Sequence, residues 1–229
     1  MAMEKRHLDQ ELEVVRENLL KMGGEVESMV SRAIHALVHR DDIEAQDVRD
    51  QDRRVDALEK RIDEECLRLL ALQQPTAVDL RFIVSVMKIV NDLERIGDSA
   101  ENIAFAVLQL NSEPPLKPWV DIPRMAEITQ GMVRDALDSF VGRNSALALE
   151  VRTRDSEIDQ LYEQVFRELM TFMIENPENV RRALQILLIA HNLERIADHA
   201  TNIGEDVIYY LEGRDVRHPG KGTESAADG

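Results

Sequence analysis

Four pairs of acidic residues are the part of this sequence best equipped for chemistry: Asp52 with Asp56, Glu94 with Asp98, Asp155 with Asp159, and Glu194 with Asp198. Each pair is spaced i, i+4, which puts both carboxylates on one face of a helix, one turn apart. Like charges at that spacing cost on the order of a few tenths of a kcal/mol even when exposed. Four of them at one level repel more strongly unless a cation neutralises them, and hard or borderline metal ions suit such all-oxygen donor sets. Acidic residues on an outer helix face are ordinarily just solvated, and for a single pair that is the better reading. Four pairs in register weigh against it.

The register follows from the turns. Asp56 lies 19 residues before Pro75 and Glu94 lies 19 after it, while Asp52 and Asp98 are each 23 away. Asp159 and Glu194 are 18 and 17 residues from Pro177, and Asp155 and Asp198 are 22 and 21. In antiparallel hairpins turning at these prolines, each quartet sits at one height.

The elements that must hold the quartets are helices. Between the prolines the apolar residues keep a helical period, and six helices are expected, at about 5–40, 45–73, 77–110, 124–143, 146–175 and 178–212. In the third, Phe82, Val86, Ile89, Leu93, Ile96, Ala100, Ile103, Val107 and Leu110 step by four and three, a long apolar stripe that the sixth repeats from Ile186 to Tyr210. A second stripe, Ile83, Val90, Gly97 and Ala104, recurs as Ala183, Ala190, Ala197 and Gly204, small enough for close helix approach. Gly23 and Gly24 are expected to bend the first helix. Thr76 and Asp79 suit the N-cap and third position of the third helix.

The chain also repeats itself. NDLERIGDSAENIA at 91–104 returns as HNLERIADHATNIG at 191–204, MVSRAIHALVHRD at 29–41 as MVRDALDSFVGRN at 132–144, and DRRVDAL at 52–58 as DSEIDQL at 155–161. The fold class is therefore all-α: two homologous three-helix bundles in tandem, at 1–110 and 124–212, joined by a Pro-rich linker at 111–123 and followed by a disordered tail at 213–229.

Composition narrows the function classes. A net charge of −16 over 229 residues repels nucleic-acid phosphates and anionic lipid and attracts cations and basic protein surfaces. No apolar run approaches the roughly 18 residues of a membrane span and no signal-peptide core follows the start, so a cytoplasmic location is expected. The single cysteine, Cys66, sits among leucines and reads as a buried, unreactive thiol. The Glu-x-x-His spacing of di-iron oxidases occurs only as EKRH at 4–7, and phosphate-loop, serine-hydrolase and zincin motifs are missing. His191 and His199 flank the second acidic motif without counterparts in the first, which suits surface or supporting roles better than metal ligation.

Taken together, KMGGEVE, QPTAVDLR, NDLERIGDSAENIA and LERIADHATNI resemble the PhoU family, from about residue 8 to DVRHPG near the end. The resemblance implies two three-helix bundles with multinuclear metal clusters on the acidic motif pairs. Iron is the expected metal, with zinc or another divalent ion as the alternative. Asp52, Asp56, Glu94 and Asp98 would ligate one cluster, and Asp155, Asp159, Glu194 and Asp198 the other. It further implies a non-enzymatic regulator that restrains a phosphate ABC transporter through its ATPase subunit. The resemblance implies, too, that such a regulator represses the phosphate-starvation response through a phosphate-sensing histidine kinase when phosphate is plentiful. A homodimer reaching the inner membrane only through partners is expected. A metal-dependent hydrolase or redox enzyme is the competing reading, disfavoured because neither quartet is accompanied by a repeated His, Cys, Ser or Lys to serve as base or nucleophile.

Overall fold

The computed structural model describes residues 2–73 and 75–217, with side chains from Leu8 onward; EKRH and residues 218–229 of the tail thus lie outside the described side chains. The described residues form six α-helices: α1 (Ala2–His39), α2 (Asp42–Leu72), α3 (Ala77–Asn111), α4 (Asp121–Val141), α5 (Ser145–Glu175) and α6 (Val180–Glu212), with a 3-10 turn at Pro177–Asn179 before α6. Among the described residues no helix is long and apolar enough to cross a membrane.

Local chemistry sets the helix ends. The Asp41 carboxylate accepts from the amides of Ile43 and Glu44, both at 3.0 Å, so α2 starts three residues before the sequence expectation. Asn144 does the same for α5, accepting from Leu147 N at 3.1 Å. The Asp79 carboxylate accepts from both the amide and the hydroxyl of Thr76, as expected at the start of α3. Helix α4 also starts three residues early, with Pro123 in its first turn, where a missing N–H costs nothing.

The repeat extends to the backbone. Arg40 and Arg143, which occupy equivalent places after α1 and α4, both adopt left-handed φ values, of 56° and 50°. Arg40 donates to the carbonyls of Asn111 and Glu113 at the end of α3, each at 2.7 Å, where a cation also complements the helix dipole. Arg143 lies over the Tyr210 ring near the end of α6, 5.4 Å from its centroid. Each arginine so ties the first turn of its repeat to the end of the third helix.

Both stripes of α3 and both stripes of α6 are buried, because these two helices pack on each other as well as on their own hairpins. The result is one continuous core across the two repeats. A ring cluster of Phe82, Phe140 and Tyr210, with centroids 5.6 to 5.8 Å apart, joins the start of α3 to the ends of α4 and α6. Helix α1 runs unbroken through Gly23 and Gly24, and Gly23 makes room for α4, since a Cβ there would lie 2.5 Å from Leu137 Cδ1. Cys66 is buried, and its thiol is pushed up to about 12, first by burial and then by Asp63 and Glu65, as an inert core residue requires. The connection between the repeats is strapped down: Lys117 is buried against Glu168 and Asp121, and Arg182 donates to the Pro114 carbonyl at 3.1 Å. Residues 213–217, read from the sequence as part of the disordered tail, turn back instead, with Val216 against the core.

Two glycines give opposite expectations. A Cβ at Gly204 would lie 2.9 Å from the carbonyl oxygen of Ala148, a backbone atom that can move only if α5 shifts off α6. Gly24 has nothing within 4 Å of such a Cβ. In urea melts Gly204→Ala should destabilise the protein by about 1 to 3 kcal/mol, whereas Gly24→Ala should stabilise it by about 0.5 to 1 kcal/mol.

Candidate functional site

Helices α2 and α3 present the first quartet, α5 and α6 the second. The predicted register holds where the contacts test it. Asp52 Oδ1 lies against the small surface of Gly97, 3.4 Å from where a Cβ would stand, which sets it beside Asp98 across the hairpin. In the second repeat Thr201 Oγ1 donates to Asp155 Oδ1 at 3.5 Å, the equivalent crossing between α5 and α6. Burial of the neighbouring stripe residues Leu93, Ile96, Leu193 and Ile196 fixes the faces that carry the acids.

The carboxylates feel one another. Partial burial pushes Asp52 up to about 6, with Asp56, Asp98 and Glu101 adding repulsion. Glu94 is raised by burial and then by Asp98, Glu59 and Asp56; Asp98 is raised by burial, Asp56 and Glu101, with Arg195 and Arg95 opposing. In the second quartet burial, Glu194, Asp155 and Asp159 push Asp198 up to about 6, and burial with Asp159 raises Asp155. Each quartet is thus a pool of negative charge only partly offset by neighbouring cations. Among the described residues no three His, Cys, Asp or Glu side chains close around one point as a finished ligand shell. The donor chemistry fits a hard or borderline cation, and bringing the carboxylates together requires that cation's charge.

Residues missed by sequence reasoning surround the first quartet. Glu59 lies one turn beyond Asp56, raised by burial, Asp63 and Asp56; Glu101 lies three residues beyond Asp98, paired with Arg49 at 3.3 Å. Their i, i+3 spacing from the paired acids was the available signal. The equivalent places in the second repeat hold Tyr162 for Glu59, Phe166 for Asp63 and Thr201 for Glu101, so the two quartets have unequal surroundings. The histidines also part company. His191 is exposed, with Nδ1 3.2 Å from Glu194 Oε2, whereas His199 is buried and turns to α3, 2.8 Å from Asp92 Oδ1.

Comparison with known proteins decides the family. A PhoU domain model matches residues 19–107 and again 122–207. The chain belongs to the PhoU family. It is 47% identical over 212 residues to the phosphate-specific transport system accessory protein PhoU homolog of Pseudomonas putida, covering 92% of this chain and 82% of that one. It is 38% identical to the Escherichia coli K12 PhoU accessory protein, covering 92% and 87%. The crystal structure of PhoU from Pseudomonas aeruginosa superposes with a TM-score of 0.88 at 44% identity, over 90% of this chain and 99% of that one. The phosphate transport system regulatory protein PhoU of Streptococcus pneumoniae superposes at 0.84 with 32% identity, over 91% and 99%. The six-helix, two-domain reading agrees with these structures. PhoU proteins are accessory and regulatory proteins rather than enzymes, and the metal-dependent hydrolase or redox alternative falls with that.

The raised acids make stability depend on pH in a definite direction. A carboxyl whose folded pKa is raised binds more protons folded than unfolded, so its contribution is fully present below its ordinary value and is lost as pH rises through the folded one. For Asp52 and Asp198 that window runs from 3.8 to about 6. With chelator present, the melting temperature should be higher at pH 5 than at pH 7. The combined Asp52→Asn and Asp198→Asn variant should flatten the difference.

Proposed function

We propose that this chain is a metal-bearing regulator of phosphate uptake. It restrains a high-affinity phosphate ABC transporter through the ATPase subunit and, with a phosphate-sensing histidine kinase, keeps the phosphate-starvation response off when phosphate is plentiful. Family membership carries the regulatory part. The duplicated, self-repelling quartets carry the metal part. Asp52, Asp56, Glu94 and Asp98 would hold one cluster and Asp155, Asp159, Glu194 and Asp198 the other, with iron the first choice and zinc or another divalent ion the alternative. Bound metal would supply positive charge that gathers the carboxylates and turns two soft acidic faces into two ordered ones. The protein works in the cytoplasm as a homodimer and reaches the inner membrane through its partners, as a chain of charge −16 meets basic protein surfaces more readily than anionic lipid.

The extra acids Glu59, Asp63 and Glu101 make the first site the tighter one. Stepwise chelation followed by metal analysis should therefore empty the second site first. Glu94→Ala with Asp98→Ala should remove the fraction held longest; unchanged metal content in that variant would exclude these ligands. The quadruple variant, with Glu194→Ala and Asp198→Ala added, removes surface repulsion without leaving a cavity. It should remain helical, within about 1 kcal/mol per site of the parent when metal-free. It should also fail to repress a phosphate-starvation reporter in phosphate-rich medium, and full repression by the folded variant would separate regulation from these clusters.

A further inference from the structure

Helices α3 and α6 cross antiparallel: Lys88 pairs with Asp206, Asp92 with His199 and Asn202, and Asp98 feels Arg195. The hundred-residue repeat therefore makes the crossing quasi-twofold, and two clefts along it have equivalent positions. One keeps an arginine, Arg195 for Arg95, and has His191 for Asn91, but lacks the other charged groups. It has Leu188 where the other has Lys88, Asn192 where the other has Asp92, Ser99 where the other has His199, and Ala106 where the other has Asp206. Ser99 Oγ and Asn192 Nδ2 there donate to their own helix backbones, at Arg95 O and Leu188 O. The charged cleft is thus not a requirement of this packing.

That cleft is a cavity of about 280 Å³, closed at one side by Arg217 from the segment that turns back after α6. Its polar groups fall into two sets. Asp92 Oδ1 receives His199 Nδ1 at 2.8 Å and Asn202 Nδ2 at 3.3 Å; Asp206 Oδ1 receives Lys88 Nζ at 3.0 Å and has Arg217 Nη1 at 3.9 Å. Arg95 and Asn91 line the same cavity without a hydrogen-bond or ion-pair partner among the described residues. An occupant must therefore accept from the planar donor fork of Arg95 and the amide of Asn91 while donating to a carboxylate. A simple anion does only the first. Inorganic phosphate does both near neutral pH, since its mono- and dianion each keep a P–OH beside their charged oxygens; sulfate has no such proton, and a phosphomonoester dianion has lost it.

We infer that the cleft between α3 and α6 is a binding site for inorganic hydrogen phosphate, with Arg95 and Asn91 holding the anionic oxygens and Asp92 accepting from the P–OH. This deepens the regulatory reading, since it lets the regulator itself register the solute whose uptake it restrains. The carboxylate clusters are not involved.

Titration calorimetry on the full chain at pH 7, in chelator so that metal-held phosphate does not count, tests it with sodium phosphate, sodium sulfate and glycerol 3-phosphate. Phosphate should bind saturably, and the other two at least about tenfold more weakly, the difference expected for one hydrogen bond to a charged group. Arg95→Gln should weaken phosphate binding by about tenfold or more. Asp92→Asn should narrow the gap between phosphate and sulfate, with circular dichroism melts verifying that both variants fold. No saturable phosphate binding, sulfate or the ester binding as well as phosphate, or an unchanged affinity in folded Arg95→Gln would each overturn the assignment. The measurement needs neither metal nor partner, so its failure is distinct from a failure of the reporter test.

Discussion

The antiparallel contact between α3 and α6 is the constraint on which the remainder of the molecule depends. Each repeat contributes one central helix whose two apolar stripes are both buried, so neither three-helix unit finishes its core alone. Small residues at the stripe, Gly97 and Ala104 in one helix and Ala197 and Gly204 in the other, let neighbouring backbones come close, and the Phe82, Phe140 and Tyr210 rings close one end. With the interior faces committed, the polar residues of α3 and α6 have only the outer faces toward α2 and α5 and the flanks of the crossing itself. The quartets occupy the first and the polar cleft the second.

This arrangement explains how a rigid scaffold carries unfavourable charge. Carboxylates that raise one another's proton affinity are a local cost, and the fold tolerates it because the acids stand beside the core, where hydration still reaches them. A cation relieves that cost directly. The unequal surroundings of the two quartets, acidic around the first and holding Tyr162, Phe166 and Thr201 around the second, show that duplication preserved the framework while the neighbours diverged. The same divergence distinguishes the two flanks of the α3–α6 crossing.

Much of this was legible in the sequence. Helix number, the buried stripes and the height of the quartets follow from apolar periodicity and from counting residues to Pro75 and Pro177, because helical rise is uniform. The starts of α2 and α4 were missed by three residues, since Asp41 acts as a cap from within an acidic run and Pro123 sits inside a first turn. The return of residues 213–217 was hidden because Val216 and Arg217 gain their partners only after α3 and α6 have met. The burial of His199 was hidden for the same reason: its partner, Asp92, is distant in sequence and lies across the interface. Glu59 and Glu101 were within reach of helix spacing but stood outside the paired motif.

The central claim is that the two acidic quartets exist to hold metal. Crystals of the protein purified without chelator, measured at wavelengths on either side of the iron absorption edge, test it most directly. Two sets of anomalous peaks are expected, one between α2 and α3 beside Asp52, Asp56, Glu94 and Asp98, and one between α5 and α6 beside Asp155, Asp159, Glu194 and Asp198. If the edge shifts to that of zinc, the sites stand and the metal changes. Well-ordered carboxylates with only water between them, or peaks confined to other surfaces, would contradict the account.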